Sequence, residues 1–329
     1  MAYVAPSLSN DVVLLAKQES AIGTDAEPSG TDALLIDNAM TPNQQDVKMI
    51  DTAPVRTSFS KRSSIVGRSI ANLSFDAFLQ GSGPSGAVKP WFVFLLEACG
   101  LSAGYGNASG QSASWVLTPT NTPASVTFYH HAAQVRQKIT GCFGNCKFTF
   151  PAGDAVKMNF TFGGTWVQPE TGVNAPTLTY PTFLPKMAET ETLTITPAGG
   201  SAYIPIAASV ALDLGVENRE REDLNASKGF FGFFAGNRNP MVDLVIEREK
   251  TLAAFNPYTL MQNATLVAVA WTHGSVASGS QVYFSLPTCQ IVQANEQDGN
   301  GRKQWNLRLK PVSDTTENGD LTITFKQKP

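Results

Sequence analysis

The sequence predicts a mainly β protein with long hairpin arms, one packed helix and a weak internal repeat. Three observations lead there. Short runs rich in Thr, Val, Phe and Ile recur between Gly, Pro, Asn and Asp punctuation, with 27 Gly and 20 Pro in 329 residues. Several runs alternate apolar and polar residues, as in Asn72-Leu73-Ser74-Phe75-Asp76-Ala77-Phe78, which marks strands with one buried and one wet face. Two long polar excursions, Thr52 to Arg68 and Glu217 to Asn239, each interrupt a pair of such runs at corresponding places.

Taken in order, strands are expected at Ala33–Ile36, Val47–Ile50, Ser69–Leu79, Ser125–Tyr129, Lys147–Phe150 and Val156–Phe162. Seven more are expected at Glu191–Thr196, Ala207–Leu214, Met241–Glu247, Thr265–Trp271, Val282–Leu286, Gln304–Leu309 and Leu321–Phe325. A buried helix fits Pro90 to Cys99: Pro90 suits the first helical position and Gly100 the left-handed stop. A weaker helix starts near Pro257. The Pro- and Thr-rich stretch Val167–Pro185 reads as an extended connector, dividing the chain into 1–185 and 186–329. In the first half the excursion returns through Ile70 to Phe75; in the second it returns through Met241 to Ile246.

Composition narrows the function. Charged residues are 16% of the chain, below the usual quarter or so, and the formal charge is only -3. Weak self-repulsion permits assembly, and nothing global points to nucleic-acid wrapping or anionic lipid. No basic-then-apolar segment opens the chain, so no secretory leader is expected. The longest apolar run, Trp91 to Leu96, is far short of the roughly 20 residues a membrane helix needs. A soluble protein made in a cytoplasm is the expectation.

A search for chemistry finds no phosphate-cradling loop, dinucleotide fingerprint, zinc helix or nucleophile elbow. His130 and His131 are adjacent in a strand context, so they point to opposite faces; these and His273 are expected at the surface or at strand edges. Cys142 and Cys146 have C-x₃-C spacing. They fit two plain thiols, a disulfide across a hairpin turn at Gly144-Asn145, or less readily a metal. Acidic groups such as Glu217, Glu220, Glu222 and Asp223 are interleaved with Arg219 and Arg221, the pattern of a solvated or interface face. No enzyme activity, metal or cofactor is expected.

The arms are the unusual feature. A lone hairpin is marginal in water and its outer edges carry unpaired N–H and C=O groups, so such arms persist when neighbouring copies pair with them. Arg56, Lys61, Arg62 and Arg68 on the first arm, and Arg219, Arg221, Glu222 and Asp223 on the second, are the expected contacts between subunits or rings. A solvated loop and direct DNA binding are the competing readings of the basic arm. Gly229-Phe230-Phe231-Gly232-Phe233-Phe234 fits an interface patch or a buried strand.

Beyond this bottom-up reading, the segment Lys17-Gln18-Glu19-Ser20-Ala21-Ile22-Gly23-Thr24-Asp25 resembles the opening of phage major tail tube proteins. So do Asp32 to Leu35, Phe75 to Gly83, Pro90 to Gly100, Gly141 to Asp154 and Leu212 to Asn218, scattered over nearly the whole chain. The chain is identified as resembling that family of long-tailed bacteriophages. The resemblance implies tail-tube-type β-sandwich or barrel domains, duplicated in some relatives as the weak repeat here would suit, whose hairpins combine in rings that stack into the virion tail, the protein being made in the bacterial host cytoplasm. It implies a conduit for genomic DNA without specific binding, with tape measure, tail terminator and distal tail proteins as partners and no membrane. A trimer imitating a sixfold ring suits the repeat better than a hexamer. Acids lining such a lumen are expected among Asp46, Asp51, Asp76, Glu247 and Glu249. Competing readings are another head–tail structural protein, a terminator or decoration protein, and a carbohydrate-binding β-sandwich. For the last, Trp91, Trp115, Trp166, Trp271 and Trp305 are too dispersed.

Overall fold

The fold comes from a computed structural model that describes residues 12–37, 44–52, 60–82, 89–106, 114–181, 186–188, 192–275, 279–313 and 319–326. The first half contributes β1 (Val12–Gln18), β2 (Gln44–Ile50), β3 (Ile65–Phe78), α1 (Val93–Ala98), β4 (Leu101–Gly106), β5 (Ser114–Pro119), β6 (Val126–Ala132), β7 (Val135–Pro151), β8 (Lys157–Trp166) and β9 (Glu170–Thr171). The second contributes β10 (Thr194–Pro197), β11 (Ala207–Asp213), β12 (Val216–Glu222), β13 (Phe230–Arg238), β14 (Met241–Glu247), α2 (Pro257–Gln262), β15 (Leu266–His273), β16 (Gln281–Gly299), β17 (Arg302–Pro311) and β18 (Thr322–Lys326). The protein is mainly β.

Alternation forms these strands. In β3, Leu73, Phe75 and Ala77 are buried while Asn72, Ser74 and Asp76 face out; β14 buries Val242, Leu244 and Ile246 completely. Period-2 patterns of this kind leave a strand only one stable face.

One sheet runs through the chain in the order β2-β3-β8-β7-β11-β14-β17-β16-β18-β5-β4. Its centre repeats itself. The path β2-β3-β8-β7 of the first half is matched by β11-β14-β17-β16 of the second. The side branches match as well: β1 pairs β6, which pairs β7, and β10 pairs β15, which pairs β16. Each half places its helix after its third strand of the large sheet, α1 following β3 and α2 following β14. The halves meet where β7 pairs β11, from Ser209↔Pro151 to Asp213↔Lys147. They meet again where β18 pairs β5. β4 and β5 have no counterpart in the second half, where α2 leads directly into β15.

The main core is shared across this joint. Phe148 and Phe150 of β7 meet Phe284 of β16 at centroid distances of 5.4 and 5.2 Å, and Trp271 of β15 stacks on Phe284 at 4.8 Å. In the first half Phe75, Phe128, Phe160 and Phe162 form a second aromatic group, Phe75 lying 5.4 Å from Phe160 and Phe128 4.9 Å from Phe162. Edge-to-face and offset pairs of this kind add to the burial of large apolar area.

Several expectations are corrected. Ala33–Ile36 is no strand. A 3-10 turn over Gly30–Asp32 leads into extended chain with a single bridge, Leu15↔Ala33, because no ladder runs beside it. The partner that sequence reading missed, β1, has a continuous apolar run buried on both sides and so lacks alternation. α1 starts at Val93, since Trp91 and Phe92 first make a turn closed by Val93 N–H to the Pro90 carbonyl. Gly100 does take the left-handed conformation, φ +79°. Asn256 caps α2, its side chain accepting from Thr259 N–H at 3.2 Å. Residues 167–181 of the connector lie along the first half, with Thr179 N–H donating to the Gly30 carbonyl, and residues 182–185 lie outside the described residues.

Gly144-Asn145 is not a turn. β7 passes through it unbroken, so Cys142 and Cys146 lie on one strand about 13 Å apart, beyond disulfide reach. All four cysteines are buried free thiols. Glycine stands at 144 because a Cβ there would meet the Phe162 ring at 2.4 Å. His131 and His273 are buried, not surface groups; His273 ends β15, 6.0 Å from the Phe150 ring. Burial lowers the affinity of His130 and His131 for protons.

Candidate assembly surface

Two arms and one polar sheet face carry the residues singled out from the sequence. The first arm is β2 with residues 65–69 of β3. β2 pairs only with β3, and β3 gains its second neighbour, β8, from Ile70 onward. Among the described residues the arm is a two-stranded ribbon with no strand on its outer edge. A bulge between Val47 and Met49 is accommodated by Gly67, whose added Cβ would lie 2.9 Å from the Lys48 carbonyl oxygen. Its apolar residues are uncovered: Met49 is 60% exposed, Ile65 57%, Val66 53% and Ile50 46%. Lys61 and Arg62 are exposed, Asp51 accepts a hydrogen bond from the Ser64 hydroxyl, and Arg56 lies outside the described residues.

The second arm, β12 with β13, is a sheet of its own, paired to no third strand. Its sequence resolves the phenylalanine question both ways at once. A bulge between Arg221 and Glu222 lets Phe230 and Phe233 face inward onto Ile70 and Phe143, closing a small satellite core on the outer face of the main sheet. Phe231 and Phe234 face solvent, with the Arg221 guanidinium 4.7 Å from the Phe231 ring centre.

The arms touch through Arg68 and Glu220. The guanidinium is bidentate on the carboxylate, Nε to Oε2 at 2.5 Å and Nη2 to Oε1 at 2.6 Å, which raises the Arg68 proton affinity. Arg68 is thus engaged within the chain. Arg219 pairs with Glu217 at 2.6 Å, and Asp223 accepts from Asn225 N–H at 2.8 Å in the tip turn. Glu222 is exposed.

The polar face follows strictly from register. Asp76↔Asn159, Asn159↔Lys147, Lys147↔Asp213 and Asp213↔Met241 run across β3, β8, β7, β11 and β14. Asp243↔Arg308 and Arg308↔Gln293 carry it on over β17 to β16. Of the acids named from the sequence as lumen candidates, Asp46, Asp76 and Glu247 lie on this face, Asp46 through its register with Ile70. Asp51 sits near the first arm's end, and Glu249 lies past β14, near Tyr203. Burial and then Glu249 push the Tyr203 hydroxyl up to about 12. Sequence reading missed Asp213 and Asp243, although both hold outward positions of alternating strands. Most charges on the face are internally matched: Arg308 with Asp243 at 2.8 Å, Arg302 with Glu247 at 3.0 Å, Lys157 with Asp37 at 2.6 Å. Asn145 donates to Asp213 and Asn159 to Asp76. A groove of about 630 Å³ lies on this face at the foot of the arms, lined by Asp46, Asn72, Thr161, Asn145 and Asn218 among others.

Among the described residues no cluster of His, Cys, Asp or Glu is arranged to hold a metal, and no helix is long and apolar enough to cross a membrane. The chain matches the family described as phage tail tube protein over residues 9–326, nearly its whole length. The chain belongs to that family. A phage tail tube protein is a structural protein of the virion tail, and this one has the mainly β build and hairpin arms its sequence suggested. No curated protein matches the chain.

Proposed function

We propose that this tail tube protein closes into rings of three chains, each supplying two equivalent sheet units, and that the rings stack into the conduit through which genomic DNA leaves. The single observation behind this is the repeated order β2-β3-β8-β7 and β11-β14-β17-β16. Three duplicated chains present six near-equivalent units, and a sheet that continues from unit to unit around an axis has no free edge left. The units are taken to be residues 1–185 and 186–329. The tape measure, terminator and distal tail proteins are the expected neighbours along the tail.

The polar face suits the lumen. Many of its side chains are amides, hydroxyls and charges paired with neighbours, so apart from exposed lysines such as Lys147 a passing duplex meets few free cations that would hold its phosphates. This departs from a purely acidic lining: matched pairs lower friction by leaving little net charge of either sign.

Negative-stain microscopy with sedimentation analysis of the purified chain is the test. Threefold rings or tubes are expected; a chain that stays monomeric at high concentration overturns the proposal.

A further inference from the structure

The joint inside the chain offers a template for a joint between chains. In the first half, the end of β7 that has left β6 pairs on its free side with β11 of the second half. β16 is the counterpart of β7. It too leaves its hairpin partner β15 at Gln290, and it then runs on through residues 293–299 with β17 as its only strand neighbour among the described residues. Both strands carry a bulge at the same place, between Thr140 and Phe143 in β7 and between Ile291 and Gln293 in β16. At the other end of the repeated sheet, β2 has no second strand neighbour among the described residues. A single chain therefore ends in two unlike, complementary edges, and one copy cannot join them to each other.

Side chains agree with this. Phe143, just past the bulge of β7, is covered by Phe233 of the second arm, whereas Val292, the bulge residue of β16, is 43% exposed. The first arm carries the matching uncovered residues: Met49, Ile50, Ile65 and Val66. Charge adds little, because Glu296 and Asp298 already hold Arg248 and Lys303.

We infer that residues 293–299 of β16, with Val292 beside them, form the seat for β2 and the first arm of a second copy of this chain, joined head to tail as β7 is joined to β11. The inference rests on the ring reading and specifies its contact. Unlike edges meeting head to tail generate a closed ring when the rotation allows, whereas like edges would give only a twofold dimer.

Cysteine pairs in the full-length protein test it. Asp46→Cys is combined in turn with Gln293→Cys, Asn295→Cys and Gln297→Cys, all of which share the polar face in the strand register, so a two-residue uncertainty in alignment is covered. The native thiols are buried and give little background. On mild oxidation at least one pair should link most chains into trimers, while each single variant stays unlinked. In parallel, Val292→Asp should raise the concentration needed for ring formation at least tenfold with the melting temperature of the isolated chain unchanged. Rings on the grid with no linkage in any pair, or with a full response lost for Val292→Asp, overturn the assignment of edges and leave the ring reading standing. Monomers at every concentration overturn both.

Discussion

The two arms of this protein start from the same place in each repeat and end in opposite conditions. The second arm lays Phe230 and Phe233 on Ile70 and Phe143 and is tied at Glu220 to Arg68. The first arm leaves Met49, Ile50, Ile65 and Val66 in solvent. The second arm rests on the first half of the same chain, while the first arm has no such cover among the described residues. Under the proposed ring, another copy would supply it.

The largest expected effect sharpens this contrast. Phe233→Ala should destabilise the isolated chain by about 3 kcal/mol, since it empties a buried aromatic site, read by denaturant unfolding. Val66→Ala on the first arm should change that stability by less than about 0.5 kcal/mol, yet weaken ring formation. Equal losses in the isolated chain would show that the first arm is also covered at home. Next in size, Arg68→Ala should cost about 1 kcal/mol, an effect that shrinks at high salt because both partners are partly exposed; its companion Glu220→Gln should not add a second full loss. Smallest is Arg221→Ala, which removes an exposed cation–π contact worth about 0.5 kcal/mol and should leave unfolding almost unchanged while altering assembly if the Phe231 side of the second arm meets a partner.

Part of the architecture was readable from single residues. Alternation in Asn72 to Phe78 and Met241 to Glu247 placed both strands and their faces, and Gly100 marked the helix stop it proves to be. The acids of the polar face were only partly found: Asp46, Asp76 and Glu247 drew notice near the arms, while Asp213 and Asp243 were passed over although the same alternation points them outward. Arg68 was read as a contact for another subunit, but Glu220 of its own chain holds it.

By itself the sequence determined the β class, the two arms, the buried helix and the family, because side-chain period, capping and motif order are written within a few neighbouring residues. Only the tertiary structure decided which strands pair, that β7 continues through Gly144, and that one arm is covered while the other is bare. A strand's partner lies far away in sequence, and a glycine looks the same whether the missing Cβ serves a turn or makes room for Phe162. Those choices belong to contacts between distant segments, and no local pattern contains them.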